Sequence, residues 1–352
     1  MDFNHKQITF AREYRGLSQS ELAKRVSGLS QPNLSKYEKG FSSLSDDLVI
    51  RIVEYLDFPV SWLNKRISNI AENAHYRKRA TLSKKDKTKI EFGNRILGYI
   101  VDQFSDSVDW PEFKHIPLDI EKGFTPKDIA KNARKVLSLG NDEPVADIFG
   151  LLESKGIVII EINEHEKFDG VSFITDKGTP VIILNKNFSN DRKRRTAAHE
   201  YGHILQHCYF PIPSYRDEKA REKEADEFAN EFLMPENEIK NSLRGLRLND
   251  LSQLKNYWLT SMASIIRRAK DLGCISPERY KYFNIELSRG GRRKDEGFDV
   301  YVDEPNLFKE AYDIHKKQLG YTDDELGKAF SLPTDVIKHY LNPSPLKLVR
   351  EY

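Results

Sequence analysis

The chain has 352 residues, 39% hydrophobic and 31% charged, a balance that suits folded domains and argues against disorder. No apolar run approaches the roughly 20 residues that span a bilayer, and the opening MDFNHKQITF has no apolar export core. The two cysteines, Cys208 and Cys274, make neither a disulfide framework nor a thiolate zinc site, so we expect a cytoplasmic protein with no membrane partner.

This length predicts two or three domains. The net charge of +2 hides an uneven distribution. The first 95 residues carry 18 Lys and Arg against 11 Asp and Glu, so the remainder is net negative. A basic N-terminal end is where a nucleic-acid partner is sought. Part of that surplus is the run RKRATLSKKDKTK at 77–89, which reads equally well as a solvated linker.

Residues 17–40 read LSQSELAKRVSGLSQPNLSKYEKG. Ser18 and Glu21 have capping-box spacing, and Leu22, Ala23 and Val26 follow as an apolar stripe. Gly28 and Leu29 make a turn. Ser30 caps a second helix that tolerates Pro32 in its first turn, buries Leu34 and Tyr37, and ends at Gly40. Two short capped helices joined by a tight turn make a helix-turn-helix. Gln31, Asn33 and Ser35 stand at the start of the second helix, where base edges are read, and Gln and Asn can each bond adenine twice. Ser18 and Gln19 open the first helix, where phosphate is held, while Lys36 and Lys39 can add phosphate contacts. The stretch resembles the Cro and lambda-repressor type of helix-turn-helix, the XRE family, over residues 5–66, including the downstream helix in DDLVIRIVEYLDFPVSWL. That resemblance implies double-stranded operator DNA as a partner and a homodimer on paired half-sites.

GIVIIEI, GVSFIT and PVIILN, at 156–162, 170–175 and 180–185, predict short strands after amphipathic helices at 127–139 and 144–155. Next comes SNDRKRRTAAHEYGHILQHC, helical from Asp191 onward. On a helix, His199 and His203 share one face, about 5–6 Å apart at Cβ, which suits two imidazoles on one zinc ion. Glu200 stands beside them, placed to take a proton from water that zinc has acidified, which is the H-E-x-x-H logic of metallopeptidases. His207 continues the face but sits two turns from His199, so it is expected behind the ligands or in packing. The longer H-E-x-x-H-x-x-G-x-x-H pattern fails, because Gln206 and Tyr209 hold its last two positions.

A third ligand must then come from another helix, and REKEADEFANEFLMP at 221–235 offers acids. Ala225, Phe228, Ala229 and Phe232 form its apolar stripe, and Glu224 borders that stripe. We take Glu224 as the expected third ligand, Glu222 as the reserve, and Asp226 as a hydrogen-bond partner for a ligand histidine.

HEYGHILQH followed by EADEFANEFLMP resembles the ImmA/IrrE family of zinc-dependent endopeptidases. In that family the two histidines and the glutamate before Ala-Asn or Ala-Asp hold zinc, and the glutamate after the first histidine is the base. The resemblance carries those roles to His199, His203, Glu224 and Glu200. It covers about 125–300 and implies Zn2+ as cofactor and a protein substrate, a repressor or similar regulator, whose cleavage relieves repression. The strands beside the metal helix offer an edge to which an extended peptide can add, unless that edge is covered.

Further on, Leu254, Trp258, Met262 and Ile265 recur at helical spacing as core. LGYTDDELGKAFSLPTDVIKHYL at 319–341 echoes the rhythm of the first reader, with caps at Thr322 and Ser331. Asp323, Asp324 and Asp335 would repel phosphate there, so this echo reads as structural or partner-binding.

The fold class expected is α+β, mostly helical: an all-α helix-turn-helix domain, a zincin-like domain with a small sheet and the HExxH helix, and a helical C-terminal region. The division expected is 1–70 for the DNA-binding domain, 71–124 for a basic linker and helical connector, 125–245 for the peptidase domain and 246–352 for the helical remainder. Two other functions fit the same residues, a transcription factor whose zinc domain only senses a ligand or partner, and an antitoxin-like control protein of a mobile element. Glu200 separates them from the enzyme, since metal binding alone needs no carboxylate there.

Overall fold

The N-terminal caps do what their spacing predicts. In the computed structural model, which describes residues 3–67, 75–76, 83–140, 142–211, 213, 215–291 and 296–341, α1 spans His5–Tyr14, α2 Gln19–Arg25 and α3 Gln31–Glu38. Ser18 accepts from the Glu21 amide while the Glu21 carboxylate accepts from the Ser18 amide, and Ser30 accepts from the Asn33 amide. Helix α4, Asp46–Tyr55, and a 3-10 turn at Val60–Asn64 close the bundle over Ile8, Leu22, Leu34, Ile52 and Trp62, all fully buried. Residues 77–82 of the basic run lie outside the described residues.

A two-residue strand β1, His75–Tyr76, precedes the long helix α5, Lys84–Phe104. Then come α6, Pro126–Val136, and α7, Ile148–Glu153. Strands β2 (Val158–Ile162), β3 (Gly170–Ile174) and β4 (Pro180–Asn185) follow, then α8, Asn190–His203, and α9, Glu218–Leu233. Among the described residues that follow, the regular elements are helices: α10 Glu236–Leu243, α11 Asp250–Trp258, α12 Met262–Asp271, α13 Pro277–Arg289, α14 Leu307–Asp313, α15 Asp323–Phe330 and α16 Thr334–Leu341. The single stripe expected from Leu254 to Ile265 is shared between α11 and α12, because Leu259 takes a left-handed conformation at φ +55° and Ser261 starts a new helix.

The sheet runs β1–β3–β4–β2. β2 is parallel to β4, whereas β3 is antiparallel to β4 and to β1. Both faces are covered, which explains the near-continuous apolar runs of β2 and β4. Val158, Ile160, Val171, Phe173, Val181 and Ile183 face a core shared with α5 and the helix-turn-helix bundle. Ile159, Ile182 and Leu184 face the core that holds α8 and α9.

The C-terminal echo does form two helices joined by a short turn, and it packs onto the N-terminal reader. Ser331 does not cap the second of these helices as expected. It ends α15 in a left-handed conformation at φ +57°. Two of the three aspartates of the echo have partners within the chain: Asp335 pairs with Arg15 at 2.5 Å, and Asp323 accepts from Tyr312 and Lys316, each at 2.8 Å, while Asp324 is exposed. Tyr99 of α5 donates to the Phe330 carbonyl at 2.7 Å.

Gly156 turns the chain from α7 into β2 at φ +83°, and a Cβ there would stand 2.4 Å from the Pro111 carbonyl oxygen. Both the left-handed backbone and the rigid neighbour oppose a side chain. Gly156→Ala should cost at least about 2 kcal/mol, read as a lowered denaturant midpoint with an unchanged slope.

Candidate metal centre and nucleic-acid interface

Helix α8 lies under the sheet and against α9, and small residues set how closely it approaches. Ala197 and Ala198 are fully buried between the layers. Gly202, inside HEYGH, faces Phe228 of α9, where a Cβ would come within 2.9 Å of the ring. The glycine lets the two helices close, which brings the carboxylates of α9 to the histidines. Arg194, fully buried about two turns before Gly202, donates to the carbonyls of Val145, Ala146 and Leu259 and fixes the helix lengthwise.

His199 and His203 are fully buried, and their Nε2 atoms stand 3.1 Å apart. Glu222 of α9 reaches both, with Oε2 at 3.4 Å from His199 Nε2 and Oε1 at 3.2 Å from His203 Nε2. These three residues form a cluster able to hold a metal ion. The donor set fits a tetrahedral ion. Ligands about 2.0–2.1 Å from such a centre stand about 3.3–3.4 Å from one another. Two imidazole nitrogens and a carboxylate aimed at one point also present lone pairs that a cation satisfies. Burial holds the His203 imidazole down to about 3, so it is a neutral ring with a lone pair to give. For Glu222 burial alone would favour the neutral acid, but hydrogen bonds from His199 and His203 outweigh it and hold the carboxyl below its usual range.

This corrects the sequence-based choice of acid. Glu224, expected in the cluster, points instead to His207 Nε2 at 2.9 Å and to Arg216 at 3.6 Å. The apolar stripe was the wrong pointer. Glu222, Asp226 and Asn230 follow one another at four-residue spacing, and this polar ridge faces α8. Asp226 lies 3.0 Å from His199 Nδ1 and also accepts from Arg195, which donates to Asn230. Glu224, two residues from Glu222, is rotated about 200° around the axis and cannot share its target.

Helix α8 runs on into one π-helical turn, Ile204–Cys208, a feature frequent at functional sites. It carries His207, whose Nδ1 lies 2.9 Å from His203 Nδ1. His207 thus stands behind His203, and burial lowers its pKa against the pull of Glu224. Asp226 thus contacts the Nδ1 side of His199, and His207, itself held by Glu224, the Nδ1 side of His203.

Glu200 is fully buried beside the cluster, and Ser172 of β3 donates to its Oε2 at 2.7 Å. Sequence reading missed Ser172. It stands 28 residues away on a strand, in GVSFIT, and only the packing of β3 on α8 brings it to the site.

In the N-terminal bundle Ser18, Ser30, Asn33, Lys36 and Lys39 are exposed, and Gln19, Gln31 and Ser35 are half-buried. Gln31 Nε2 donates to Gln19 Oε1 at 2.9 Å, Gln19 Nε2 donates to Glu38 at 2.7 Å, and Arg12 forks onto Glu38 at 2.7 and 2.9 Å. Gln19, expected on phosphate, accepts a hydrogen bond from Gln31 in this structure.

A His-His-Glu cluster, with two buried histidines from an HExxH helix under a small mixed sheet and a half-buried glutamate from the next helix, defines a metallopeptidase-type hydrolase domain, here joined to a helix-turn-helix. Residues 152–270 match the family model described as IrrE N-terminal-like domain, and residues 10–63 match the one described as helix-turn-helix. The chain is an IrrE/ImmA-like peptidase domain fused to an XRE-type helix-turn-helix domain. No curated protein and no solved structure matches it. Among the described residues no helix is long and apolar enough to cross a membrane.

Proposed function

We propose that this chain is a transcriptional regulator that binds operator DNA as a homodimer in the cytoplasm and hydrolyses a peptide bond in another regulatory protein, a repressor, with zinc as cofactor. The observation that carries this is the convergence of His199, His203 and Glu222 within 3.1–3.4 Å of one another beside the buried Glu200. His199, His203 and Glu222 hold the ion. Zinc bound there supplies Lewis acidity, which acidifies water and polarises a carbonyl. Glu200 takes the proton of the attacking water and passes it to the departing amine, and Ser172 keeps its carboxylate aimed. Asp226 and His207 fix the ligand rings through their Nδ1 atoms. The measurement that tests this is zinc content of the purified chain, expected near one ion per chain. A chain that takes up no zinc when it is supplied would sink the proposal.

The reader domain has its own test. Asn33 is exposed at the start of α3, where paired hydrogen bonds to adenine are made. Asn33→Ala should weaken operator binding by about 1–3 kcal/mol and relax one base position. Lys36→Ala should weaken all sequences alike and reduce the salt dependence by about one charge. A titration of labelled duplexes at several salt concentrations separates the two.

A further inference from the structure

The edge strand next to the metal centre is β3, and its outer edge carries a segment of this same chain. His75 and Tyr76 pair antiparallel with β3, His75 opposite Ser172 and Tyr76 opposite Val171. Ser172 is the residue whose hydroxyl donates to Glu200. A paired strand lies about 4.7–4.9 Å from its neighbour. The backbone of residues 75–76 therefore runs alongside the strand position that touches the proposed base. An extended peptide adding to this edge by main-chain hydrogen bonds would need the same edge-facing main-chain groups of β3 around Val171 and Ser172.

We propose that segment 75–76 occupies the peptide track of the centre in cis, so that a substrate peptide must displace it. This rests on the peptidase reading above. The segment sits between the DNA-reading bundle, whose last turn ends at Asn64, and α5, which begins at Lys84. The competitor is thus tethered at both ends, and its effective concentration is high without any affinity of its own. A two-stranded contact of two residues is marginal by itself, so the block is reversible. A centre that is open only about one tenth of the time binds peptide about tenfold more weakly than an open one.

The test uses the zinc-loaded full chain and two probes. Acetohydroxamate binds the ion but is too small to pair with β3. An acetyl-dipeptidyl hydroxamate also extends along the strand. The double variant His75→Pro/Tyr76→Pro removes both amide donors of the segment. We expect it to bind the peptidyl probe about tenfold more tightly than the wild type and acetohydroxamate equally well. Equal binding of the peptidyl probe by both chains overturns the proposal. In the wild type, saturating peptidyl probe should speed hydrogen exchange at the one amide of His75 and Tyr76 that faces β3, a readout that needs no folded variant. Unchanged exchange with the probe bound also overturns it. Failure of acetohydroxamate to bind the wild type instead overturns the peptidase reading on which the proposal stands.

Discussion

Glu222→Ala is expected to strip the centre of zinc and with it all hydrolysis, while Glu224→Ala leaves most of the zinc in place. Glu222 is the acid whose oxygens stand 3.2 and 3.4 Å from the two ligand nitrogens. Its removal deletes one of three ligands and the one negative charge that faces the ion from within the cluster. Glu224 acts at two removes, through His207 onto His203. Loss of such an outer partner costs about 10–100-fold in affinity. Loss of Glu222 should exceed about 100-fold by the same scale. Competition with a fluorescent zinc chelator gives both constants. Neither variant should unfold the domain, since both side chains lie toward the open, N-terminal half of α9, away from the fully buried Phe228 and Phe232. Zinc kept by Glu222→Ala and lost by Glu224→Ala would restore the assignment made from sequence and discard the geometric one.

That pair of residues also shows what the sequence could and could not carry. The HEYGH helix, the acidic helix after it and the two capped helices of the reader were legible, because each is written in local spacing: four residues between ligands, three between cap and capping acid. The choice between Glu222 and Glu224 was not local. It depends on which side of α9 meets α8, and α9 is packed on more than one side, against α8 and against α6. An apolar stripe then marks the core but does not mark the site. Glu222, Asp226 and Asn230 do form a periodic polar ridge, and a search for polar rather than apolar periodicity would have found it. Ser172 and the strand at His75–Tyr76 had no such signal. One is a lone serine among apolar residues in a strand, and the other is two residues within a stretch whose composition reads as linker. Ser172 is defined by the packing of β3 on α8 and the other by pairing across the sheet, with about a hundred residues between β1 and β3, and no local pattern encodes partners so distant. The C-terminal echo was legible as two helices, yet its anchoring onto Arg15 and Tyr99 was not.

Glu200→Gln separates an enzyme from a sensor, and here the largest functional loss is expected with the smallest structural change. The amide keeps the shape of the carboxylate and can still accept the Ser172 hydrogen bond. It cannot take up a proton. Zinc content and operator affinity should therefore equal those of the wild type, since Glu200 is neither in the His-His-Glu cluster nor in the reader. Turnover should fall by about 10²–10⁴-fold, the range for loss of a positioned proton acceptor. The substrate need not be known beforehand. New protein N-termini that appear in cells with the wild-type chain, and are missing with Glu200→Gln, identify the cleaved protein and its bond in one comparison. A sensor would behave otherwise, because a fold that only binds a ligand has no use for proton transfer at this position. Glu200→Gln with unaltered regulation and the same set of N-termini would remove catalysis from the account and leave a metal-dependent DNA-binding switch.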